Sequence, residues 1–170
     1  MPFLEIITET VKTVGSDKVK LIGEDLNGKD LSEFNLKKAN LSRAKLQKAT
    51  LKKINLAEAT LEWTDFTEAD LEEADLSKAQ MFRAVLEEAI LKKCNLKEAY
   101  LGKVNLRVAD LEEADLSKAK LNYADLRDAN LAKAKLEGID LRWARYNSAT
   151  VWPNDKFDPS LTGAILYERN

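Results

Sequence analysis

Histidine is absent from this 170-residue chain. Its absence removes the side chain that most often serves as general base, proton shuttle and metal ligand near neutral pH. Cysteine occurs once, as Cys94. One thiol excludes an internal disulfide and any zinc site built from several thiolates. Neither sign of charge dominates: 27 Lys and Arg face 29 Asp and Glu, for a net charge of −2 and a pI near 5.4. Such a balance supplies neither the strongly basic field of a nucleic-acid binder nor an acidic tail. No apolar run approaches the ~20 residues needed to span a membrane. The start, Met1-Pro2-Phe3-Leu4-Glu5, lacks the basic segment, apolar core and cleavage site of a signal peptide, which predicts a cytoplasmic protein.

What the chain does have is a beat of five. From about Leu26 to Val151 every fifth residue is large and apolar, nearly always Leu, and two places before it sits a small residue, nearly always Ala. The composition, rich in Ala, Glu, Lys and Leu, invites a coiled-coil reading. The period refuses it. At about 100° per residue, a Leu every five positions steps around a helix by about 140° and never forms a stripe.

Within one repeat, numbered by its Leu as position i, the small residue at i−2, the polar residue at i−1 and the Leu at i alternate in, out, in. That is the period of an extended strand. Positions i+1 and i+2 are usually polar and must turn the chain. The i−1 position is often Asp or Asn (Asp70, Asp75, Asn95, Asn105, Asp110), whose short side chains bond nearby backbone and favour turns. One side and one corner per repeat wind the chain around an apolar axis, with each Leu contributing roughly 1.5–3 kcal/mol by burial.

Four sides per coil give a lag of twenty residues between stacked neighbours. The i+2 positions then form columns reading Glu33, Lys53, Glu73, Lys93, Glu113, Lys133 and Lys38, Glu58, Lys78, Glu98, Lys118. Stacked strands lie about 4.8 Å apart, so alternating signs attract where like signs would repel. Residues 70–79 and 110–119 are identical, so duplication accounts for part of this alternation.

Ala69-Asp70-Leu71, Ala109-Asp110-Leu111 and Ala129-Asn130-Leu131 resemble the repeats of the pentapeptide repeat proteins. The tail from Trp152 to Pro159, followed by Gly163-Ala164-Ile165-Leu166, resembles the ends of cyanobacterial members. The resemblance implies an all-β fold, a right-handed quadrilateral β-helix, to which the sequence adds an N-terminal α-helical cap. Three segments are expected: a helical cap over 1–20, the repeat β-helix over 21–151 and a capping tail over 152–170. Residues 3–14 place Phe3, Ile7, Val11 and Val14 on one helix face. In the tail, Pro153 and Pro159 are expected to forbid further strand pairing. Trp152, Phe157, Leu161, Ile165 and Leu166 are expected to cover the open end, which favours a monomer. Bulky residues depart from the pattern at i−2 (Phe34, Ile54, Thr64, Val104, Ile139) and at i (Phe66, Met81, Tyr146). No insertion is expected between Leu31 and Val151, so no long loop projects.

Two surface features carry chemistry. Acidic groups Asp70, Glu72, Glu73; Glu87, Glu88; and Asp110, Glu112, Glu113 resemble the paired carboxylates of hydrolases or cation sites. A catalytic acid needs a pocket that raises its pKa, and a convex rod offers none. Lys92 and Lys93 lie between the Glu72–Glu73 and Glu112–Glu113 pairs, which predicts an ion-pair ladder. The second feature is an aromatic edge. One i+2 column reads Arg43, Trp63, Arg83, Lys103, Tyr123, Trp143, with Phe82 and Tyr100 beside it. Trp, Tyr and Arg dominate interface hot spots, and the same residues can also stack for stability. The reading is a non-enzymatic interaction or scaffold protein, without cofactor or metal, that holds a protein partner on this edge. Nucleic acid and membrane are disfavoured as partners. The family resemblance supplies an alternative, a DNA-mimicking regulator of a type II topoisomerase, gyrase. The interleaved cations weigh against it, because a mimic needs a strongly negative surface.

Overall fold

The structure, a computed structural model, describes residues 16–168. The helical cap expected over residues 3–14 lies outside the described residues. From Lys20 onward each i−1 residue forms a parallel bridge with the one twenty positions later: Lys20 with Asn40, Asn40 with Thr60, Thr60 with Gln80, and so on to Asp140. Twenty residues are four repeats, so each coil has four faces. The tube is a right-handed quadrilateral β-helix.

Backbone hydrogen bonding explains the repeat. In Leu41–Lys45, the N–H groups of Leu41 and Arg43 donate to the Thr60 and Glu62 carbonyls of the next coil at 2.8 and 2.9 Å. Lys45 donates to the Glu24 carbonyl of the preceding coil, and Ala44 closes the corner onto the Leu41 carbonyl. One donor per repeat is left over, the N–H at i+1. Here Ser42 gives it to Asn40 Oδ1 at 3.0 Å. The same bond runs from Ser32 to Asp30, Ser77 to Asp75, Arg107 to Asn105 and Glu112 to Asp110. Asp and Asn therefore fill i−1 because they satisfy a donor that the ladder cannot reach.

The corners demand positive φ at i+2. Non-glycine residues there, from Glu33 to Trp143, hold φ between 55° and 64°, as a type II turn requires. Glycine takes this position at Gly23, Gly28 and Gly138. Elsewhere a strain of order 1 kcal/mol per corner is held by the ladder bonds on both flanks.

Leu at i and Ala at i−2 fill the bore and are almost wholly buried. The bulky departures fit inside the same tube: Ile54, Phe66, Met81 and Val104 are buried, while Phe34 and Ile139 are half-buried against the core. Where a polar residue takes the small position it donates to a carbonyl in the bore. Thr64 Oγ1 bonds the Leu41 carbonyl at 2.8 Å, and the Cys94 thiol bonds that of Leu71. Burial pushes the Cys94 thiol up to about 12, so it remains a protonated core group.

The C-terminal end departs from expectation in three ways. First, the register gains a residue: Asp125 bridges Arg145 at a lag of twenty, but Asn130 bridges Val151 at twenty-one. Thr150, not Ala149, enters the bore, with its hydroxyl on the Leu126 carbonyl at 2.9 Å. Val151 therefore faces outward. Second, the prolines do not end the pairing. β1 (Arg145–Tyr146) pairs in parallel with β2 (Ile165–Leu166), so the tail re-enters the tube as one more side. Pro153 lies outside both strands, and Pro159 opens a 3₁₀ turn, Pro159–Thr162, capped by Asp158 and closed by Gly163 at φ 82°. Third, the cover is narrower than expected. Trp152, Phe157 and Ala164 pack on the core, and the Trp152 ring meets those of Tyr146 and Phe157 at 5.5 and 5.1 Å. Leu161 projects from the 3₁₀ turn and is 86% exposed; Ile165 and Leu166 are also open, with no further coil over them among the described residues.

Candidate functional site

The faces share one backbone and differ in what they carry. On the face built on Leu71, Leu91 and Leu111, here the ladder face, Lys52 reaches Asp70 at 3.1 Å and Glu72 at 2.9 Å. Lys92 repeats this one fold of the duplication later, at 3.1 Å from Asp110 and 3.4 Å from Glu112. Lys133 reaches Glu112 and Glu113 at 3.0 and 3.3 Å. Bonds from Lys133 and Lys92 hold the Glu112 carboxyl below its ordinary range, and bonds from Asp110 and Glu112 raise the Lys92 ammonium. The expected ladder is therefore present over Asp70, Glu72, Glu73, Asp110, Glu112 and Glu113, with Lys53 near Glu73. Lys92 serves only the later acidic group, and Lys93 enters no ion pair among the described residues. Around the corner, Glu87 pairs with Arg107 at 3.4 Å, while Glu88 has no such partner among the described residues.

The face built on Leu61, Met81, Leu101 and Leu121, here the aromatic face, gathers every residue of the expected edge. Trp63, Arg83, Lys103, Tyr123 and Trp143 stack in one column of positive-φ corners, which aims them outward. Arg83 lies over the Trp63 ring at 4.6 Å and near Phe82 at 5.5 Å. Lys103 lies 5.8 Å from Phe82 and 5.7 Å from Tyr123. Tyr123 and Trp143 stack at 6.4 Å with planes 15° apart. Tyr100 stands apart, in the i−1 column, under the Lys120 ammonium at 4.7 Å. Arg43 starts the column and touches no ring of it.

The aromatic side chains remain between 39% and 57% exposed despite these contacts. Arg43, Arg83, Lys103 and Lys120 have no carboxylate within ion-pair distance among the described residues, whereas the ladder-face acids are bound to lysines.

Several contributors were missed from sequence. Arg145, Ile165 and Tyr167 join the expected Lys103, Tyr123 and Trp143 in lining an open groove of about 500 Å³ at the C-terminal end of this edge. Tyr167 lies 5.0 Å from the Arg127 guanidinium and 5.8 Å from that of Arg145. The twenty-residue lag from Arg145 to Ile165 would have located this groove had the tail been read as another side of the tube. Gly102 was missed as well. Its absent side chain leaves room for Phe82, whose Cδ2 would stand 3.3 Å from a Cβ there.

The pentapeptide repeat profile matches the chain in 8 copies, over residues 18–52, 54–81, 71–107, 79–117 and 109–145. Among solved structures, HetL, a pentapeptide repeat protein involved in heterocyst differentiation regulation from the cyanobacterium Nostoc sp. strain PCC 7120, is 26% identical. That match covers 97% of this chain and 92% of HetL, with a TM-score of 0.58. Rfr23, from the cyanobacterium Cyanothece 51142, is 22% identical over 88% of this chain and 99% of its own, with a TM-score of 0.42. The protein alr5209 from Nostoc PCC 7120 is 32% identical over 66% of this chain and 84% of its own, with a TM-score of 0.34. No curated protein matches the chain. Among the described residues no helix is long and apolar enough to cross a membrane. The five-residue beat, the twenty-residue ladder and the profile agree: the chain belongs to the pentapeptide repeat family.

Proposed function

We propose that this chain is a non-enzymatic interaction protein that holds a protein partner on its aromatic face. One observation carries the reading. The aromatic face keeps half-exposed rings beside cations that lack carboxylate partners, while on the ladder face Lys52, Lys53, Lys92 and Lys133 bind its carboxylates. Exposed Trp, Tyr and Arg in one patch are the residues that supply most binding energy in protein interfaces. The likeness to HetL, a protein involved in heterocyst differentiation regulation, supports a regulatory role. Against catalysis stands the chemistry of the acids: those on the ladder face are paired with lysines on an outward surface, and Lys133 and Lys92 lower the Glu112 carboxyl, where a general acid needs a raised pKa. Against gyrase-directed DNA mimicry stands the interleaving of Lys52, Lys92 and Lys133 among the carboxylates.

The test compares pull-downs from the native host using wild type, Trp63→Ser/Trp143→Ser and, as a control on the opposite chemistry, Lys92→Ser/Lys133→Ser. Loss of a specific partner in the tryptophan variant alone supports the reading. An unchanged partner set with unchanged folding removes the aromatic face from consideration.

A further inference from the structure

The aromatic face differs from the others in its backbone as well as its side chains. On the other faces the donor left over by the ladder, the i+1 N–H, is mostly capped by Asp or Asn at i−1. Where Thr50, Val85, Ile90 or Lys135 stands there, the N–H left uncapped among the described residues (Lys52, Glu87, Lys92, Glu137) is isolated between capped coils. On the aromatic face the i−1 column reads Asn40, Thr60, Gln80, Tyr100, Lys120, Asp140. Asn40 and Asp140 cap the two ends, bonding the N–H groups of Ser42 and Arg142. Between them Thr60, Gln80, Tyr100 and Lys120 supply no cap, and the N–H groups of Glu62, Phe82, Gly102 and Asn122 have no acceptor among the described residues. These donors stack on consecutive coils, about 4.8 Å apart, and the last three, those of Phe82, Gly102 and Asn122, lie beside the cations.

The same stretch forms a pocket of about 230 Å³ lined by Gln80, Phe82, Tyr100, Gly102, Lys120 and Asn122. Gly102 lies buried at this pocket, the Phe82 and Tyr100 rings flank it, and Lys120 brings an ammonium. Arg83 and Lys103 stand on the neighbouring corner. Glu62, at the N-terminal margin, is the single carboxylate in residues 60–63, 80–83, 100–103 and 120–123; Asp140, paired with Arg142, borders Lys120 at the C-terminal margin, and Glu58 and Glu98 lie beside Gln80 and Tyr100. Free backbone donors beside cations make an anion-binding surface, and bonds from such donors to a charged acceptor are the strong ones. Base stacking is less well served. Tyr123 lies between Lys103 and Trp143, and Tyr100 is covered by Lys120, so the rings offer fewer open faces to a nucleobase than a stacking platform requires.

We infer that this stretch binds the carboxylates of an acidic segment of a partner protein, received by the N–H groups of Phe82, Gly102 and Asn122 with Lys120, Arg83 and Lys103 around them. The inference rests on the aromatic face being the interaction face and adds the chemistry of its occupant.

Two double variants separate the backbone donors from the side chains. Gln80→Asn/Tyr100→Asn installs the cap used on the other faces. Gln80→Ala/Tyr100→Ala removes the same side chains and leaves the donors free. Asn occupies i−1 elsewhere in this fold, so the capped variant keeps the coil. The probe is a fluorescent poly-glutamate peptide, with oligo-thymidylate as the competing class. Poly-glutamate should bind the wild type, and binding should be about tenfold weaker in the capped variant than in the alanine variant. In the wild type, amide resonances of Phe82, Gly102 and Asn122 should shift on titration while those of Ser42 and Glu112 stay. Equal affinities of the two variants, no shift at the three amides, or binding of oligo-thymidylate without poly-glutamate would each overturn the inference. The amide shifts decide the matter should a variant fail to fold. If poly-glutamate does not bind while Trp63→Ser/Trp143→Ser still loses its partner, the interaction face stands and its acidic occupant falls.

Discussion

The ladder face and the aromatic face are two walls of one tube. Inside, both present leucine and alanine to the bore and are equally buried. Outside, they diverge. The ladder face pairs Lys52, Lys92 and Lys133 with carboxylates on an adjacent coil and caps the N–H groups of Glu72, Glu112 and Ala132 with Asp70, Asp110 and Asn130. Only the separated N–H groups of Lys52 and Lys92 stay uncapped on residues 52–132 of this face. The aromatic face leaves Arg43, Arg83, Lys103 and Lys120 without carboxylates at ion-pair distance among the described residues and has uncapped backbone donors on consecutive coils, at Glu62, Phe82, Gly102 and Asn122. In this fold stability is built from the inner positions and the ladder bonds. Positions i−1, i+1 and i+2 are then free to specialise, and one wall can be left unsatisfied at little cost to folding.

The first way to break the comparison is to attack what the walls share. Leu91→Ala behind the ladder face and Leu101→Ala behind the aromatic face should each cost about 2–5 kcal/mol in urea unfolding, with no systematic difference between them. A cost confined to one wall would show that the two interiors are not equivalent. A smaller effect should carry opposite signs on the two walls. Asn130→Ala uncaps the Ala132 N–H, now bonded at 3.0 Å, and releases the bond to Asp110; it should lose about 1 kcal/mol. Gln80→Asn caps a donor that is now free and should gain up to about 1 kcal/mol. A loss in both would deny that the aromatic wall is unsatisfied.

The smallest expected effect concerns pH. Lys133 and Lys92 hold the Glu112 carboxyl below its ordinary value. A carboxyl depressed on folding contributes stability at neutral pH that is lost as pH falls through the ordinary carboxylate range towards the folded value. Unfolding midpoints should therefore fall from pH 6 to pH 3, by less in Lys92→Gln/Lys133→Gln than in wild type. Arg83→Gln/Lys103→Gln, which touches only ring contacts, should retain the wild-type slope. Cys94, kept protonated by burial with its pKa at about 12, should stay unlabelled by thiol reagents in the native protein and react once it unfolds.

Much of this was legible from the residues. The lag of twenty follows from the beat of five and from charge alternation at Lys53 and Glu73 or Lys78 and Glu98. The aromatic column follows from the same count. Other features left weaker marks. Positive φ at i+2 is hidden because Glu, Lys and Trp occupy most of those corners, with only Gly23, Gly28 and Gly138 as hints. The extra residue before Val151 is masked because Ala149 and Val151 imitate one more repeat, while Thr150 can fill the small position and donate its hydroxyl to the Leu126 backbone carbonyl. The return of the tail at Ile165 is masked by two prolines that fall outside the paired strands. The uncapped donors are visible only once it is known which N–H the ladder omits.

Amide hydrogen exchange in the free protein, followed by NMR at single residues, tests the difference between the walls most directly. Phe82 and Asn122 should exchange much faster than Glu72, Glu112 and Ser117, whose N–H groups are held by Asp70, Asp110 and Asp115. Equal protection across these positions would contradict the account, because the aromatic face would then have no unsatisfied backbone to offer a partner.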